Sequence, residues 1–135
     1  MKYLISIAFL FLTINVKSQN QSKDQIVGDW KVTNVIVKST DKNKIDLANS
    51  FKNSIFSFKP NDYFSFTSAE KSKLIMMVVE QLKNKKWLFE EKSQTIRIGS
   101  AKDSYSIMFI LPKIENNKAS FEIGETEINL ELIKI

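Results

Sequence analysis

Apolar and polar residues alternate along eight short stretches of the chain, which is the pattern of β-strands with one buried face. These stretches cover residues 28–37, 54–59, 63–67, 87–90, 95–98, 105–111, 119–123 and 128–132. Turn-forming residues such as Pro60 and the pair Asn116 and Asn117 separate neighbouring stretches. Eight strands with short antiparallel connections predict a mainly β domain, either a sandwich or a barrel.

The second and third stretches carry the strongest local signal. Phe56 and Phe58 share one face of the second predicted strand, and Phe64 and Phe66 share one face of the third. Residues 60–62 join the two strands with turn-forming side chains. We therefore expect a β-hairpin with four phenylalanine rings on one side and hydroxyl side chains on the other.

Two segments depart from the period of two. Leucine, isoleucine and valine recur at helical spacing between Leu74 and Leu82, which predicts a helix over residues 69–84, between the third and fourth strands. A buried strand over residues 74–79 is the rival interpretation, because periodicity alone does not separate the two. A shorter helix is predicted after the first strand, where Leu47 and Phe51 are four residues apart.

The N-terminus has the layout of a secretory signal. Lys2 precedes an apolar run over residues 3–16, which is short for a membrane span. Cleavage after Ser18 would leave a flexible polar leader over residues 19–26 and a folded domain over 27–135; an uncleaved anchor is the alternative. The chain has no cysteine to carry a lipid. The sequence therefore predicts a protein free in the periplasm or outside the cell, without a membrane span after signal removal.

Several of these landmarks, taken in order, resemble the lipocalin-like domains of small secreted bacterial proteins. They are Val-Gly-Asp-Trp-Lys-Val at 27–32, the hairpin at 56–64, the strands at 86–89 and 95–98, and the closing strand at 128–132. The resemblance implies an antiparallel up-and-down eight-stranded β-barrel. By similarity, Gly28 and Trp30 would close one end of that barrel. The family commonly places a late arginine over this tryptophan, whereas this chain offers Lys134.

Missing side chains exclude most catalytic chemistry. The chain has no histidine and no cysteine, so the usual general base, the commonest metal ligand and thiol nucleophiles are absent. The three glycines, Gly28, Gly99 and Gly124, stand too far apart for a phosphate-binding loop. The sequence therefore predicts no enzyme, no cofactor and no metal site.

The charged residues favour a solvated surface. Glu122, Glu125 and Glu127 are expected at a turn in contact with water rather than around a calcium ion, and Arg97 is expected to point outward between two isoleucines. The net charge of +5 is carried almost wholly by dispersed lysines. This distribution argues against nucleic-acid binding, which favours arginine clustered on one face.

The aromatic side chains are the one suggestive set. The candidate ligand-binding residues are Phe56, Phe58, Phe64, Phe66, Trp87, Phe89, Tyr105, Phe109 and Phe121. One hypothesis is an exported, non-enzymatic barrel whose rings line a pocket for a small hydrophobic ligand, with Tyr105 as its polar group. The alternative is that the rings fill the barrel and the protein is a cell-envelope interaction module, such as an inhibitor, immunity or scaffold protein. Such a module would use a sheet edge or the helix around Met76 and Met77. An enclosed cavity larger than about 300 Å³ favours the first hypothesis, and a solid interior favours the second.

Overall fold

The computed structural model describes residues 20–135, which form a closed antiparallel barrel of eight strands in sequential order. The elements are α1 (Lys23–Ile26), β1 (Gly28–Val37), α2 (Lys42–Ser50), β2 (Ile55–Phe58), β3 (Tyr63–Thr67), α3 (Lys73–Gln81), β4 (Lys85–Glu90), β5 (Thr95–Gly99), a 3₁₀ turn (Ala101–Asp103), β6 (Met108–Glu115), β7 (Lys118–Ile123) and β8 (Ile128–Lys134). The predicted eight-stranded up-and-down barrel is confirmed. The predicted signal peptide, residues 1–18, lies outside the described residues.

Pairing of the first and last strands closes the barrel. The β1–β8 ladder runs from Trp30 opposite Lys134 to Val37 opposite Ile128. Because the chain winds up and down, its connections divide between the two ends. The cap end carries α2, α3 and the β5–β6 and β7–β8 turns, and the opposite end carries the remaining turns and the start of β1.

Both predicted helices are present, and α3 is shorter than predicted. The helix spans Lys73–Gln81 rather than 69–84, and the rival interpretation of residues 74–79 as a strand is wrong. The Ser72 side chain accepts a hydrogen bond from the Ile75 N–H and starts the helix. Ser68, which directly precedes the predicted range, accepts a hydrogen bond from the Glu70 N–H in a turn before the helix.

The segment predicted as a flexible leader, residues 19–26, packs onto the barrel from residue 20 onward. Gln21 is only 5% exposed, and Ile26 is fully buried. The Gln21 side-chain oxygen accepts a hydrogen bond from the Ile114 N–H at 2.9 Å. The Gln21 backbone exchanges hydrogen bonds with the Gln94 side chain at 2.6 and 3.3 Å. The segment thus covers the part of β6 that extends past Thr95, the first residue of β5. The buried backbone groups of β6 need other partners there.

Candidate functional site: the barrel interior and the cap end

Six of the nine candidate aromatic residues meet inside the barrel. Phe56 lies opposite Phe66 and Phe58 opposite Phe64 across the hairpin, as the alternation predicts. Trp87 and Phe121 enter from the other strands, and all six side chains are buried. Ring centroids lie 5.0 Å apart for Phe56 and Phe66, 5.7 Å for Phe56 and Phe121, and 5.2 Å for Phe58 and Trp87. These are contact distances for aromatic pairs, so the rings pack against one another.

A seventh ring that the candidate set omits fills the cap end of the interior. Phe51, just after α2, is buried, and its ring centroid lies 5.7 Å from that of Phe66 and 6.1 Å from that of Phe56. Its spacing from Leu47 marks it as a core residue of a helix, but not as a plug of the barrel. The helical connection therefore contributes a side chain to the barrel core.

Phe109 lies outside the packed interior, but it is one of the residues that line a surface crevice at the cap end. The Arg97 guanidinium lies 4.9 Å from the Phe109 ring centroid on the outside of the wall. Ile110 faces inward instead, in register with Ile96 of β5. Residues 107–111 are apolar at every position, so the alternation in this stretch does not decide which face is buried.

Tyr105 is not a polar group of an interior pocket either. It lies in the β5–β6 turn at the cap end, before β6 begins at Met108, and has a positive φ of 55°. The sixth strand is therefore shorter at its start than predicted. Phe89 is half-buried and packs against the edge of the core.

The β5–β6 turn is organised by one carboxylate. Asp103 accepts hydrogen bonds from the Ser100 N–H and the Ser106 N–H, both at 3.1 Å, and from the Ser100 hydroxyl at 2.9 Å. The Ser100 backbone donor is the main cause that lowers the pKa of Asp103, and the Ser106 N–H, the Ser100 hydroxyl and the Lys85 charge lower it further. A Cβ on Gly99 would lie 2.4 Å from the Asp103 carboxylate, so this tight turn requires glycine.

Trp30 lies at the end of the barrel opposite the cap. Its ring is fully buried, and its indole N–H donates to the Ile26 carbonyl at 2.8 Å. The Lys134 ammonium lies 5.4 Å from the indole, at the place that the resemblance assigns to an arginine. Gly28 has a φ of +139°, and a Cβ there would lie 2.5 Å from the Lys134 side chain. Both residues of the predicted closing motif thus face the end of β8.

Two depressions in the described part of the chain open on the surface. A crevice of about 170 Å³ at the cap end is lined mainly by apolar residues from α2, α3 and the start of β6, including Leu47, Val78 and Ile107. A wider, open depression of about 500 Å³ lies at the opposite end between Gly28, Pro60 and Ile135. Of the interior rings, Phe58 borders the wider depression and Phe51 borders the crevice, whereas Phe56, Phe64 and Phe121 line neither.

The outer face of α3 exposes two large apolar side chains. Met76 is 45% exposed and Met77 is 57% exposed, whereas Ile75 and Leu82 are buried against the barrel. We call Lys73, Met76, Met77 and Glu80 the outer stripe of α3, because they lie three and four residues apart on one face of the helix. The barrel is closed, so within residues 20–135 no strand has an edge that is free along its whole length. β3 pairs with β4 only at Tyr63 and Phe64, which leaves residues 65–67 without a partner on that side.

Acidic residues form ordinary surface contacts. Glu127 pairs with Lys44 at 3.0 Å, and Glu90 pairs with Arg97 at 3.3 Å. The Ser93 hydroxyl and then Arg97 lower the pKa of Glu90. Over residues 20–135, no three acidic side chains approach one another closely enough to hold a metal ion. No helix in that range is long and apolar enough to cross a bilayer.

Comparison with known proteins finds no similar protein: no protein-family model, no curated protein and no solved structure matches the chain.

Proposed function

We propose that this chain is a lipocalin-like, non-enzymatic interaction module of the cell envelope, which works through its outer surface rather than through a pocket. The observation that carries the proposal is the filled interior, where Phe56 contacts Phe66 and Phe121 with ring centroids at 5.0 and 5.7 Å. Export, which residues 1–18 predict, belongs to the same proposal. Mass spectrometry of the exported protein is expected to find a chain that begins at Gln19.

The energy of binding argues against a ligand inside the barrel. Moving one fully buried phenylalanine side chain into water costs about 1.5–3 kcal/mol. A ligand with micromolar affinity supplies about 8 kcal/mol in total. A ligand that displaced two or more of the buried rings would therefore bind weakly. The cap-end crevice of about 170 Å³ also lies below the range of about 300–1,000 Å³ typical of ligand pockets. The depression of about 500 Å³ at the opposite end is within that range, but it is open to solvent and does not enclose a ligand.

The outer stripe of α3 is the surface best suited to a protein partner. Met76 and Met77 stand out from the barrel while the opposite face of the same helix is buried. Methionine is flexible and polarisable, so it repacks readily against different partner surfaces. A short helix that presents two such side chains on a rigid barrel is a suitable docking element.

Site-specific photo-cross-linking in the exporting cell tests this proposal. A photoreactive residue at position 77 is expected to give a discrete protein adduct. The matched control is the same residue at Leu111, which is 41% exposed on the barrel wall. Equal labelling at the two positions, or no adduct at position 77, would contradict the proposal.

A small apolar ligand in the cap-end crevice is the second candidate function. Leu47, Val78 and Ile107 line this crevice, which is the one mainly apolar depression described above. Saturable shifts of the Val78 and Ile107 methyl resonances, on titration with fatty acids and hydrophobic dyes, would support it. A flat response across the panel would eliminate it.

A further inference from the structure

We infer that the outer stripe of α3, together with the lysines at its two ends, docks an acidic protein surface. The flanking residues are Lys71 before the helix and Lys83, Lys85 and Lys86 after it; we call these four the basic flanks. The inference rests on the proposed function and adds the chemical nature of the partner.

Positive charge in the described chain is concentrated around α3. Residues 70–86 hold five lysines and two glutamates, whereas the rest of residues 20–135 holds thirteen basic and thirteen acidic residues. The whole excess charge of the described chain therefore lies in this segment. A partner surface that approaches α3 meets a positive potential that the rest of the barrel does not supply.

These lysines are not neutralised by ion pairs within the described chain. The three ion pairs of residues 20–135 use Lys23, Lys44 and Arg97. Lys86 lies 5.1 Å from the Tyr63 ring, which is itself half exposed. Apart from Lys85, whose charge acts on Asp103, these lysines are thus available to carboxylates of a partner.

The way in which α3 packs favours a protein over a lipid surface. A helix that lies on a bilayer buries a continuous apolar face in it. In α3 that apolar face already packs against the barrel: Ile75 and Leu82 are buried, and Val78 and Val79 pack beside them. Of the apolar side chains of α3, Met76 and Met77 are exposed and Leu74 is partly exposed. The apolar face that a bilayer would bury is therefore already covered by the barrel.

The chemistry of lysine indicates how such a contact would work. Lysine is a hydrated point charge on a flexible stem, and it lacks the planar fork with which arginine grips a carboxylate. Lysines around a contact mainly steer association and make it sensitive to salt. We therefore assign the methionines to the centre of the contact and the basic flanks to its rim.

Charge reversal combined with cross-linking at position 77 tests the inference. The double variant K73E/K83E changes two exposed lysines, and K113E/K118E reverses two exposed lysines at the other end of the barrel as the matched control. We expect the adduct yield to fall about tenfold in K73E/K83E, through lost electrostatic steering, and to stay unchanged in the control. We also expect the cross-linked partner segment, sequenced by mass spectrometry, to be net negative. Circular dichroism of each variant verifies that it is folded.

The outcomes separate the inference from the proposed function. An adduct that survives K73E/K83E, or a partner segment that is neutral or basic, overturns the inference and leaves the proposed function standing. No adduct in any variant overturns both. Flotation of the unmodified protein with phosphatidylglycerol vesicles but not with phosphatidylcholine vesicles, lost in K73E/K83E, would identify a lipid surface and would also overturn the inference.

Discussion

Phe56 is the side chain around which the aromatic interior is arranged. Its ring centroid lies within 6.5 Å of five other rings: Phe51, Phe58, Phe64, Phe66 and Phe121. We predict that Phe56→Ala lowers the free energy of unfolding by about 3–5 kcal/mol, since it leaves a cavity in a packed core. Urea denaturation of the purified domain measures this loss.

Phe109→Ala is the matched control, because Phe109 lies on the outside of the wall under Arg97. We expect it to cost about 1 kcal/mol, the value of an exposed cation–π contact with some lost packing. Equal losses at the two positions would contradict the placement of Phe109 outside the barrel.

Gly28 is a position where a methyl group should be costly. Its φ of +139° disfavours other residues, and a Cβ would displace the Lys134 side chain from the Trp30 ring. We predict that Gly28→Ala costs about 1–3 kcal/mol of stability. Gly124 does not have a positive φ, so we expect Gly124→Ala to destabilise the protein less than Gly28→Ala does. The melting temperatures of the two variants, measured by thermal unfolding, test this difference.

Asp103 should make stability depend on pH in the acid range. Hydrogen bonds, chiefly from the Ser100 N–H, lower its pKa in the folded state. Its contribution is therefore complete above the usual aspartate pKa of about 3.9 and is lost as pH falls through the lower folded-state pKa. We predict that Asp103→Asn flattens the dependence of the urea midpoint on pH between about pH 5 and pH 2.

At the scale of elements, the N-terminal segment is predicted to stabilise the barrel. Gln21→Ala removes the acceptor for the buried Ile114 N–H, and an unsatisfied buried donor costs about 1–3 kcal/mol. Gln25→Ala, at an exposed position of the same segment, should cost less. If urea unfolding showed equal midpoints for Gln21→Ala and the unchanged protein, the segment would not be a structural part of the barrel.

Alternation predicted those elements in which one face is clearly polar. In β2 and β3 the phenylalanines alternate with serines, so both the strands and their buried face follow from the sequence. In β6 residues 107–111 are all apolar, and only pairing of Ile110 with Ile96 sets the buried face. The packing of Gln21 was not predictable either, because a polar residue in a polar stretch shows no pattern before its partners are known.

At the scale of the whole molecule, local sequence patterns do not specify that the sheet closes into a barrel. The strand pattern is equally compatible with a sandwich, and only the resemblance pointed to a barrel. Closure depends on the ladder between β1 and β8, whose paired residues lie between 91 positions apart, for Val37 and Ile128, and 104 positions apart, for Trp30 and Lys134. No short-range signal in the sequence specifies such a contact. Likewise, the number of aromatic residues in the sequence does not show that the interior is filled, because this depends on how their rings pack against one another.

Xenon-pressurised crystals test the filled interior most directly, because xenon enters apolar cavities that no water occupies. We expect no xenon site within the barrel of the unchanged protein and one site in the Phe56→Ala variant, where a cavity is created. Xenon bound among Phe56, Phe64 and Phe121 in the unchanged protein would show an interior cavity and would contradict a function confined to the surface.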